Sequence, residues 1–412
     1  MPAATPGTPS LLRAMNDRAA LELLLTHGPL SRTRIGHLTG LSKPTASQLL
    51  ARLEDAGLVV ATGTDGGRPG PSAQLYALNP RAAHVGGLDV TPERVLAAVA
   101  DLTGAVVGSF ELPYKEGAGA VEQVTEALGE AVKAAGLQRS DLHRLVIATP
   151  GAFDPQTGRL RYASHLPGWH SPTLLDELAA ALPMPVEYEN DVNLAAIAEQ
   201  RLGAARGHED FVLLWNEEGL GAALVLGGRL HRGWTGGAGE VGFLPVPGHP
   251  LVRQVTRANT GGYQELAGVQ VLPRLAAELG IEATPGATPP DAPHGPHAPH
   301  GPLVAEAVAL LRRAAAEPEG PYLRFLQSYA TVLATGLASL VAVLDPEVVV
   351  LSGAVITAGG DPLRALLEAE LGELAPARPR LVAGQVRERP VLRGALESAL
   401  AATREEVFDT SR

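Results

Sequence analysis

The sequence predicts an α/β protein whose N-terminal segment forms a winged helix-turn-helix domain. In residues 1–80, three helical patterns precede two short strand patterns. From residue 84 onward, strands and helices alternate, and the opening arrangement of three strands occurs twice, as expected of two layered α/β halves. The predicted domains are residues 1–80, 81–190 and 191–389, and the C-terminal helix, residues 390–412, is expected to complete the first α/β half.

The first two helices are predicted from leucine spacing and from residues that begin or end helices. His27-Gly28-Pro29 ends the first helix, and Ser31 caps the second, residues 32–39. The apolar residues expected to face inward are Leu21, Leu24, Leu25, Ile35 and Leu38.

A third helix begins at Ser42 and ends before Gly57. Pro44 is tolerated because N–H groups in a first turn have no partner within the helix. The expected buried stripe is Ala46, Leu49, Leu50 and Leu53. The opposite face carries short polar side chains that can reach base edges or phosphates. The candidate DNA-binding residues here are Ser42, Lys43, Thr45, Ser47, Gln48 and Arg52.

Two strands, residues 58–61 and 74–78, flank a Gly/Pro-rich loop and complete a winged helix. Arg68 lies between glycines and a proline in this loop, which suits insertion into a narrow minor groove. The alternative is a small helical adaptor with a loose loop, because helix pairs joined by short turns are common. The polar helix face and Arg68 together favour double-stranded DNA as the partner.

The α/β region is predicted from apolar runs separated by turn residues. The run at residues 348–351 is continuous, as in a strand buried on both faces. The expected strands are residues 84–90, 95–101, 105–111, 145–148, 186–189, 211–215, 222–226 and 348–351, and the expected helices include residues 120–135 and 192–200.

The charge balance differs between the predicted domains. The chain of 412 residues has a net charge of -11, which by itself argues against a nucleic-acid partner. Residues 1–80, however, contain seven basic and five acidic side chains, a net charge of +2, so the remainder carries -13. The average therefore conceals a slightly basic N-terminal domain on an acidic body.

Cysteine is absent, so the chain has no disulfide and no Cys-type metal site. The first residues lack a secretory signal pattern, and we expect a cytoplasmic protein. The uncharged segment 325–344 is long enough to span a membrane, but its Gln, Ser and Thr residues favour a buried core helix.

Residues 283–302 are dominated by Pro, Gly, Ala and His, a composition that predicts a flexible loop. Its histidines, His294, His297 and His300, could bind a metal weakly, but solvated loop residues are the better interpretation.

Four segments together resemble the ROK family of bacterial repressors and sugar kinases, over nearly the whole chain. They are Gly67-Arg68-Pro69 in the wing, Glu189-Asn190-Asp191-Val192-Asn193 with Glu199, Gly236-Gly237-Ala238-Gly239-Glu240-Val241-Gly242, and Leu344-Asp345-Pro346-Glu347-Val348-Val349-Val350. The resemblance implies an actin-like, ribonuclease H-like fold of two α/β domains with a sugar in the cleft between them. It also implies that a member with a winged helix is a transcriptional regulator.

The resemblance implies a kinase base at Asp191 and two Gly/Thr-rich loops that hold ATP phosphates. Here Asp89 is followed by Val90-Thr91-Pro92-Glu93-Arg94, and the second loop is Glu218-Gly219-Leu220-Gly221, with a carboxylate near the phosphate position. Kinase activity and ATP binding are therefore not expected. Asp191 is interpreted as a vestigial base that accepts a hydrogen bond from a ligand hydroxyl, or alternatively as a cap of the following helix.

The family's zinc site is also expected to be absent. Phe243 stands at the position of the family's His, and Thr256, Ala258 and Tyr263 stand near the positions of its three Cys. Asn190, Asp191, Glu240 and Glu265 remain as candidate partners for sugar hydroxyls.

These expectations favour a repressor that binds a palindromic operator as a homodimer or dimer of dimers, controlled by a sugar-like effector. The alternatives are a sugar kinase with an added winged helix and a regulator controlled by a protein partner.

Overall fold

The computed structural model describes residues 9–65, 73–115, 117–154, 159–161, 169, 171, 173–252, 261–282 and 301–410. Arg68 and nearly all of the Pro/His-rich segment 283–302 lie outside these residues. The winged helix and the pair of actin-like α/β domains predicted from the sequence are confirmed.

The N-terminal domain, here called the head, contains three helices and a three-stranded antiparallel sheet. Its elements are α1 (Pro9–His27), β1 (Leu30–Ser31), α2 (Arg32–Thr39), α3 (Lys43–Asp55), β2 (Val59–Asp65) and β3 (Ala73–Leu78). The Ser31 and Ser42 side chains cap α2 and α3 as predicted, and Gly28, with a φ of 71°, follows α1.

Packing in the head follows the predicted stripes with one exception. Ile35, Leu49 and Leu53 are buried in one cluster with Leu21 and Leu24. Leu38 was expected to face inward, and this is wrong, because 36% of it is exposed. It lies one residue before the end of the short helix α2, where the chain turns away through Gly40.

The first α/β domain is built on a five-stranded sheet in the order β10-β7-β4-β5-β6. Its elements are β4 (His84–Val90), β5 (Arg94–Asp101), β6 (Val106–Pro113), α4 (Ala120–Ala134), β7 (Leu142–Thr149), α5 (Leu174–Ala181), β10 (Val186–Asn190) and α6 (Asp191–Leu202), with a small hairpin of β8 (Ala152–Asp154) and β9 (Arg159–Arg161). The strands β4, β5 and β6 are antiparallel, whereas β7 and β10 run parallel to β4.

The second α/β domain repeats this topology in the order β13-β12-β11-β14-β15. Its elements are β11 (Phe211–Asn216), β12 (Leu220–Leu226), β13 (Arg229–Leu230), α7 (Gly262–Ala267), α8 (Val271–Glu278), α9 (Pro302–Ala316), α10 (Gly320–Leu344), β14 (Val348–Ser352), α11 (Ala354–Ala358), α12 (Gly360–Leu374) and β15 (Arg380–Ala383). All five residues of β14 are buried, as its apolar sequence predicts.

Among the described residues, α10 is the one helix that is long and apolar enough to cross a membrane. Phe325, Tyr329, Leu333 and Leu337 on this helix are fully or almost fully buried within the core of the second domain. This packing agrees with the core helix predicted from the sequence.

The last helix, α13 (Pro390–Val407), returns to the first domain. It packs against α6 and the sheet of β4, β5 and β7. Leu392, Ala395 and Leu396 of α13 join a buried layer that also contains Leu194 of α6 and Phe211 of the second domain. The two α/β domains are thus joined through these two helices.

Candidate functional site

The exposed face of α3 carries the polar residues predicted from the sequence. Ser42, Lys43, Thr45 and Gln48 are exposed, and Ser47 is half-buried with its hydroxyl donating to the Lys43 carbonyl at 2.9 Å. Since the opposite stripe is buried in the head, these side chains all lie on the solvent side of one helix. A helix placed in this way in a winged helix can enter a DNA major groove.

Arg52 has a different environment from the other predicted DNA-binding residues. Its Nη2 donates to Oδ1 of Asp17 in α1 at 2.6 Å, and 41% of its side chain is exposed. Only 4% of Asp17 is exposed. The sequence pattern did not reveal this partner, because residues 17 and 52 meet only in the folded head. Arg52 therefore anchors α3 to α1.

A cleft of about 1660 Å³ separates the two α/β domains. Asp89 at the end of β4, Asn190 at the end of β10 and Ser352 at the end of β14 all line it. Ligands bind α/β domains outside the carboxyl ends of their parallel strands. The shared topology of the two sheets therefore makes this cleft the candidate small-molecule site.

Asn190 and Asp191 enter the cleft at the start of α6. The Asn190 side chain caps the helix by accepting the N–H of Asn193 at 3.0 Å, and it donates to the Gly151 carbonyl at 3.1 Å. Asp191 accepts the N–H of Val192 at 2.8 Å. Capping of α6 was the alternative role expected for Asp191, but the side chain of Asn190 provides this cap.

The cleft carboxyl groups lie in surroundings that disfavour negative charge. Burial raises the pKa of Asp191 to about 7, with further contributions from the carboxylates of Asp89 and Glu240. Burial raises the pKa of Glu240 to about 6 and that of Glu217 to about 8. Protons are therefore held in the cleft near neutral pH.

An ion pair that the sequence did not suggest connects the two domains beside this site. The buried Glu189 of β10 accepts from Arg232 Nε of the second domain at 2.6 Å and from Asn193 Nδ2 at 2.9 Å. Asn193 lies on α6 close to Asp191, so the contact between the domains is tied to the ligand-facing end of α6.

The turn between β4 and β5 uses its own backbone donors. The Thr91 hydroxyl accepts the N–H groups of Glu93 and Arg94, both at 3.3 Å, and the Thr91 N–H donates to the Arg94 carbonyl at 2.9 Å. Pro92 has no N–H. In a phosphate-binding loop such donors would point toward the anion.

The turn between β11 and β12 presents the acidic side chains of Glu217 and Glu218 toward the cleft. Glu217 Oε1 accepts the N–H of Ala354, the first residue of α11, at 3.4 Å. The Leu220 N–H donates to Oε1 of Gln264 at 2.7 Å. Two backbone donors around this turn are thus already bonded to side chains of the protein, which leaves them unavailable to a phosphate.

Glu265 was predicted to contact the ligand, but in the structure its neighbour Gln264 lines the cleft and Glu265 does not. Glu265 Oε2 accepts the N–H of Gly261 at 2.6 Å and so closes the first turn of α7. Neighbouring residues on a helix differ in direction by about 100°, and the sequence alone did not establish which of the two faced the cleft.

The positions predicted to replace a zinc site have two different environments. Phe243 lines the cleft, whereas Tyr263 is fully buried and donates its hydroxyl to the Leu333 carbonyl of α10 at 2.6 Å. Thr256 and Ala258 lie outside the described residues. In the part of the chain that is described, no group of three His, Asp or Glu side chains is arranged to hold a metal ion.

Acidic side chains outnumber basic ones in the cleft lining. The described lining residues include nine acidic side chains and four arginines. They are Asp89, Glu93, Glu111, Asp191, Glu217, Glu218, Glu240, Asp361 and Glu388, against Arg94, Arg312, Arg387 and Arg389. Arg94 lies 3.5 Å from Asp89 and 4.0 Å from Glu111, so part of its charge is already compensated.

Comparisons with known proteins agree with this arrangement. Residues 85–402 match the ROK family, and residues 16–68 match the MarR family. The putative xylose repressor of Caldicellulosiruptor sp. (strain Rt8B.4) is 26% identical over 58% of this chain and 61% of its own length. The regulator NagC of Escherichia coli K12 is 23% identical over 63% of this chain and 64% of its own length. The chain thus matches less than two thirds of the length of these repressors.

An enzyme relative and two solved structures extend the comparison. A glucokinase of Halalkalibacterium halodurans is 28% identical over 68% of this chain and 82% of its own length. A ROK family transcriptional regulator described as a homolog of the E. coli MLC protein covers 97% of both chains, with a TM-score of 0.67 and 20% identity. The ROK hexokinase from Thermus thermophilus covers 78% of this chain and 99% of its own, with a TM-score of 0.61 and 27% identity.

Proposed function

This chain belongs to the ROK family, and we propose that it is a DNA-binding transcriptional repressor controlled by a sugar-like effector in the interdomain cleft. The observation that carries the proposal is the exposed polar face of α3 on a winged helix that is joined to a ROK body. The repressor names of two relatives support the same function. A repressor of this kind acts in the cytoplasm.

A homodimer or a dimer of dimers is part of the proposal. One winged helix covers a half-site, and a two-fold symmetric protein matches a palindromic operator. The weak positive charge of the head, +2 over residues 1–80, supports the need for two heads, because few phosphates can be neutralised by each.

Loss of kinase activity is the second part of the proposal, and two turns support it. The N–H groups around Thr91 are bonded within their own turn, and Glu217 accepts the Ala354 N–H. These donors would thus be lost to a triphosphate, which would also meet more acidic than basic side chains in the cleft. ATP is therefore not a cofactor in this proposal, and neither is zinc, because Phe243 and Tyr263 cannot supply the His and Cys ligands.

The effector that suits this cleft is a neutral or cationic sugar without a phosphate group. Asp191, Glu240 and Gln264 offer acceptors for hydroxyl or ammonium hydrogens. Even without Asp191 and Glu217, whose raised pKa values favour the neutral form, seven acidic side chains of the lining remain against four arginines, and they would oppose a phosphate.

A sugar kinase is the second candidate, and one observation favours it. The pKa of Asp191, about 7, is close to the value that suits a general base at neutral pH. A coupled assay with ATP and a panel of hexoses tests this candidate. Turnover that Asp191→Asn abolishes would establish the kinase and contradict the proposed loss of activity.

The repressor proposal is tested by fluorescence anisotropy with a duplex selected by the protein from a random pool. Lys43→Ala should weaken binding and lower the slope of log affinity against log salt by about 0.9, the value for one phosphate contact. Lys133→Ala is the matched control, because it removes an exposed lysine from α4, outside the head. Absence of any duplex binding at low salt would refute the repressor proposal.

A further inference from the structure

Helix α13 extends from the cleft to the head. Arg389, which precedes it, and its first residues Pro390 and Val391 line the cleft. At its other end, Val407 and Phe408 contact the core of the head. Eighteen residues of α-helix are about 27 Å long, so one rigid element connects the ligand site with the DNA-binding domain.

At the cleft end, α13 is held by charged and backbone contacts. Arg389 has a φ of 50°, an uncommon conformation for a residue other than glycine, and its Nη2 lies 3.7 Å from Glu111 Oε2. The other oxygen of Glu111 lies 4.0 Å from Arg94, which pairs with Asp89. A chain of alternating charges therefore leads from a cleft carboxylate to the start of α13.

Along its length, α13 cannot slide easily against α6. A Cβ added at Gly394 would lie 1.8 Å from the Leu194 carbonyl oxygen, so the two helix backbones are in close contact. Since α6 begins with Asp191, a displacement of α6 at the cleft would be transmitted to α13.

At the head end, the contacts converge on Asp17. Oδ1 of Asp17 accepts from Arg52 of α3 at 2.6 Å, and Oδ2 accepts the hydroxyl of Thr410, three residues after α13, at 3.1 Å. Phe408 is 2% exposed and lies in the same apolar cluster as Leu49 and Leu53 of α3. The carboxylate of Asp17 thus joins the candidate DNA-binding helix to the end of the helix that begins in the cleft.

We infer that α13 couples the cleft to the DNA-binding face, and that Asp17 is the positioning residue through which Thr410 and Arg52 transmit this coupling. The inference rests on the proposed function, because it assumes that α3 binds DNA. Coupling between two sites is reciprocal, so DNA bound to α3 must also alter the cleft end of α13. This reciprocity allows a test with DNA as the only probe.

The experiment measures hydrogen–deuterium exchange of the full chain with and without the selected duplex. In the wild-type protein, we expect DNA to protect α3 from exchange. We also expect DNA to change the exchange rate of residues 386–391 by at least about fivefold, which corresponds to the low end of allosteric coupling energies. Thr410→Val removes the hydroxyl that donates to Asp17 and should abolish the change at 386–391. Thr410→Ser keeps the hydroxyl and should restore it.

The outcomes separate the two proposals. If no duplex protects α3, the proposed DNA binding fails and the coupling fails with it. If DNA protects α3 but leaves residues 386–391 unchanged, the repressor proposal stands and the coupling is refuted. Retention of the full change in Thr410→Val would refute the role of Asp17. An unchanged melting temperature establishes that Thr410→Val is folded, and Thr410→Ala, which also removes the hydroxyl, takes its place if Val is not tolerated.

Discussion

Replacement of Gly336 by alanine tests how α7 and α10 of the second α/β domain are held together around Tyr263, where the resemblance implies a cysteine of the family's zinc site. Gly336 lies in the middle of α10, against the ring of the fully buried Tyr263. An added Cβ would lie 2.4 Å from Cε2 and Cζ of this ring. Carbon atoms in good contact are about 3.5–4.0 Å apart, so the ring would have to move by about 1 Å. The hydroxyl of Tyr263, bonded to the Leu333 carbonyl at 2.6 Å, opposes this movement.

The expected cost follows from two opposing terms. Overpacking a core costs about 1–3 kcal/mol, whereas alanine is favoured over glycine in a helix by about 1 kcal/mol. Because the added Cβ would overlap the ring by about 1 Å, we expect a cost in the upper half of the overpacking range and a net destabilisation of about 1–2 kcal/mol. This lowers the melting temperature of a domain of this size by roughly 2–4 °C for each kcal/mol.

Gly372→Ala is the matched control for this measurement. Gly372 lies in α12, and its nearest atoms to an added Cβ are 3.8 Å away, on the side chain of Arg378. This variant should be as stable as the wild type or more stable, since it gains helix propensity without a clash. Calorimetry of both variants measures the difference. A Gly336→Ala protein as stable as the wild type would refute the idea that tight packing on Tyr263 holds α7 against α10.

Three further predictions concern buried charges. Because the pKa values of Asp191, about 7, and Glu217, about 8, exceed their unfolded values, the folded chain binds more protons between about pH 4 and 8. The free energy of unfolding should thus fall as pH rises through this window, and Glu217→Gln should reduce that fall in thermal melts. Glu199 is fully buried, and its two carboxylate oxygens accept the N–H groups of Val386 and Ala204. In Glu199→Gln, one of these two N–H groups would face the amide NH₂ and lose its acceptor. We therefore expect urea unfolding to show a destabilisation of about 1–3 kcal/mol. In a double-mutant cycle, Asp17→Ala and Arg52→Ala should show a coupling energy above about 0.5 kcal/mol, and strict additivity would contradict the ion pair.

Most of the fold could be predicted because local patterns and long-range packing agree. The helix predicted over residues 192–200 extends over Asp191–Leu202 in the structure. The strand predicted over residues 348–351 extends over Val348–Ser352. These elements have strong caps or continuous apolar runs. The hairpin of Ala152–Asp154 and Arg159–Arg161 was not predicted, because strands of three residues contain too few side chains to show an alternating pattern.

The candidate site was harder to predict, because its contacts join residues that are far apart in the sequence. Asn190 and Asp191 could be identified since the resemblance to a family marked them. The ion pair of Glu189 with Arg232 and the bond of Glu217 to Ala354 had no such signal. A polar residue on a helix face can be identified from its spacing, but its partner depends on which elements the fold brings together.

The charge distribution determines how the proposed repressor can approach DNA. The body carries a charge of -13 and would repel phosphates, while the head, at +2, presents Lys43 on an exposed helix face. At physiological salt, interactions between exposed charges are screened beyond about 8 Å, so the repulsion acts only on those parts of the body that come near the duplex. The acidic body therefore disfavours any pose in which it contacts DNA, and the orientation with α3 toward the duplex is favoured. Because Arg52 is bonded to Asp17, this orientation offers few phosphate contacts per head, and in the proposed dimer a second head on the other half-site would supply the remaining affinity.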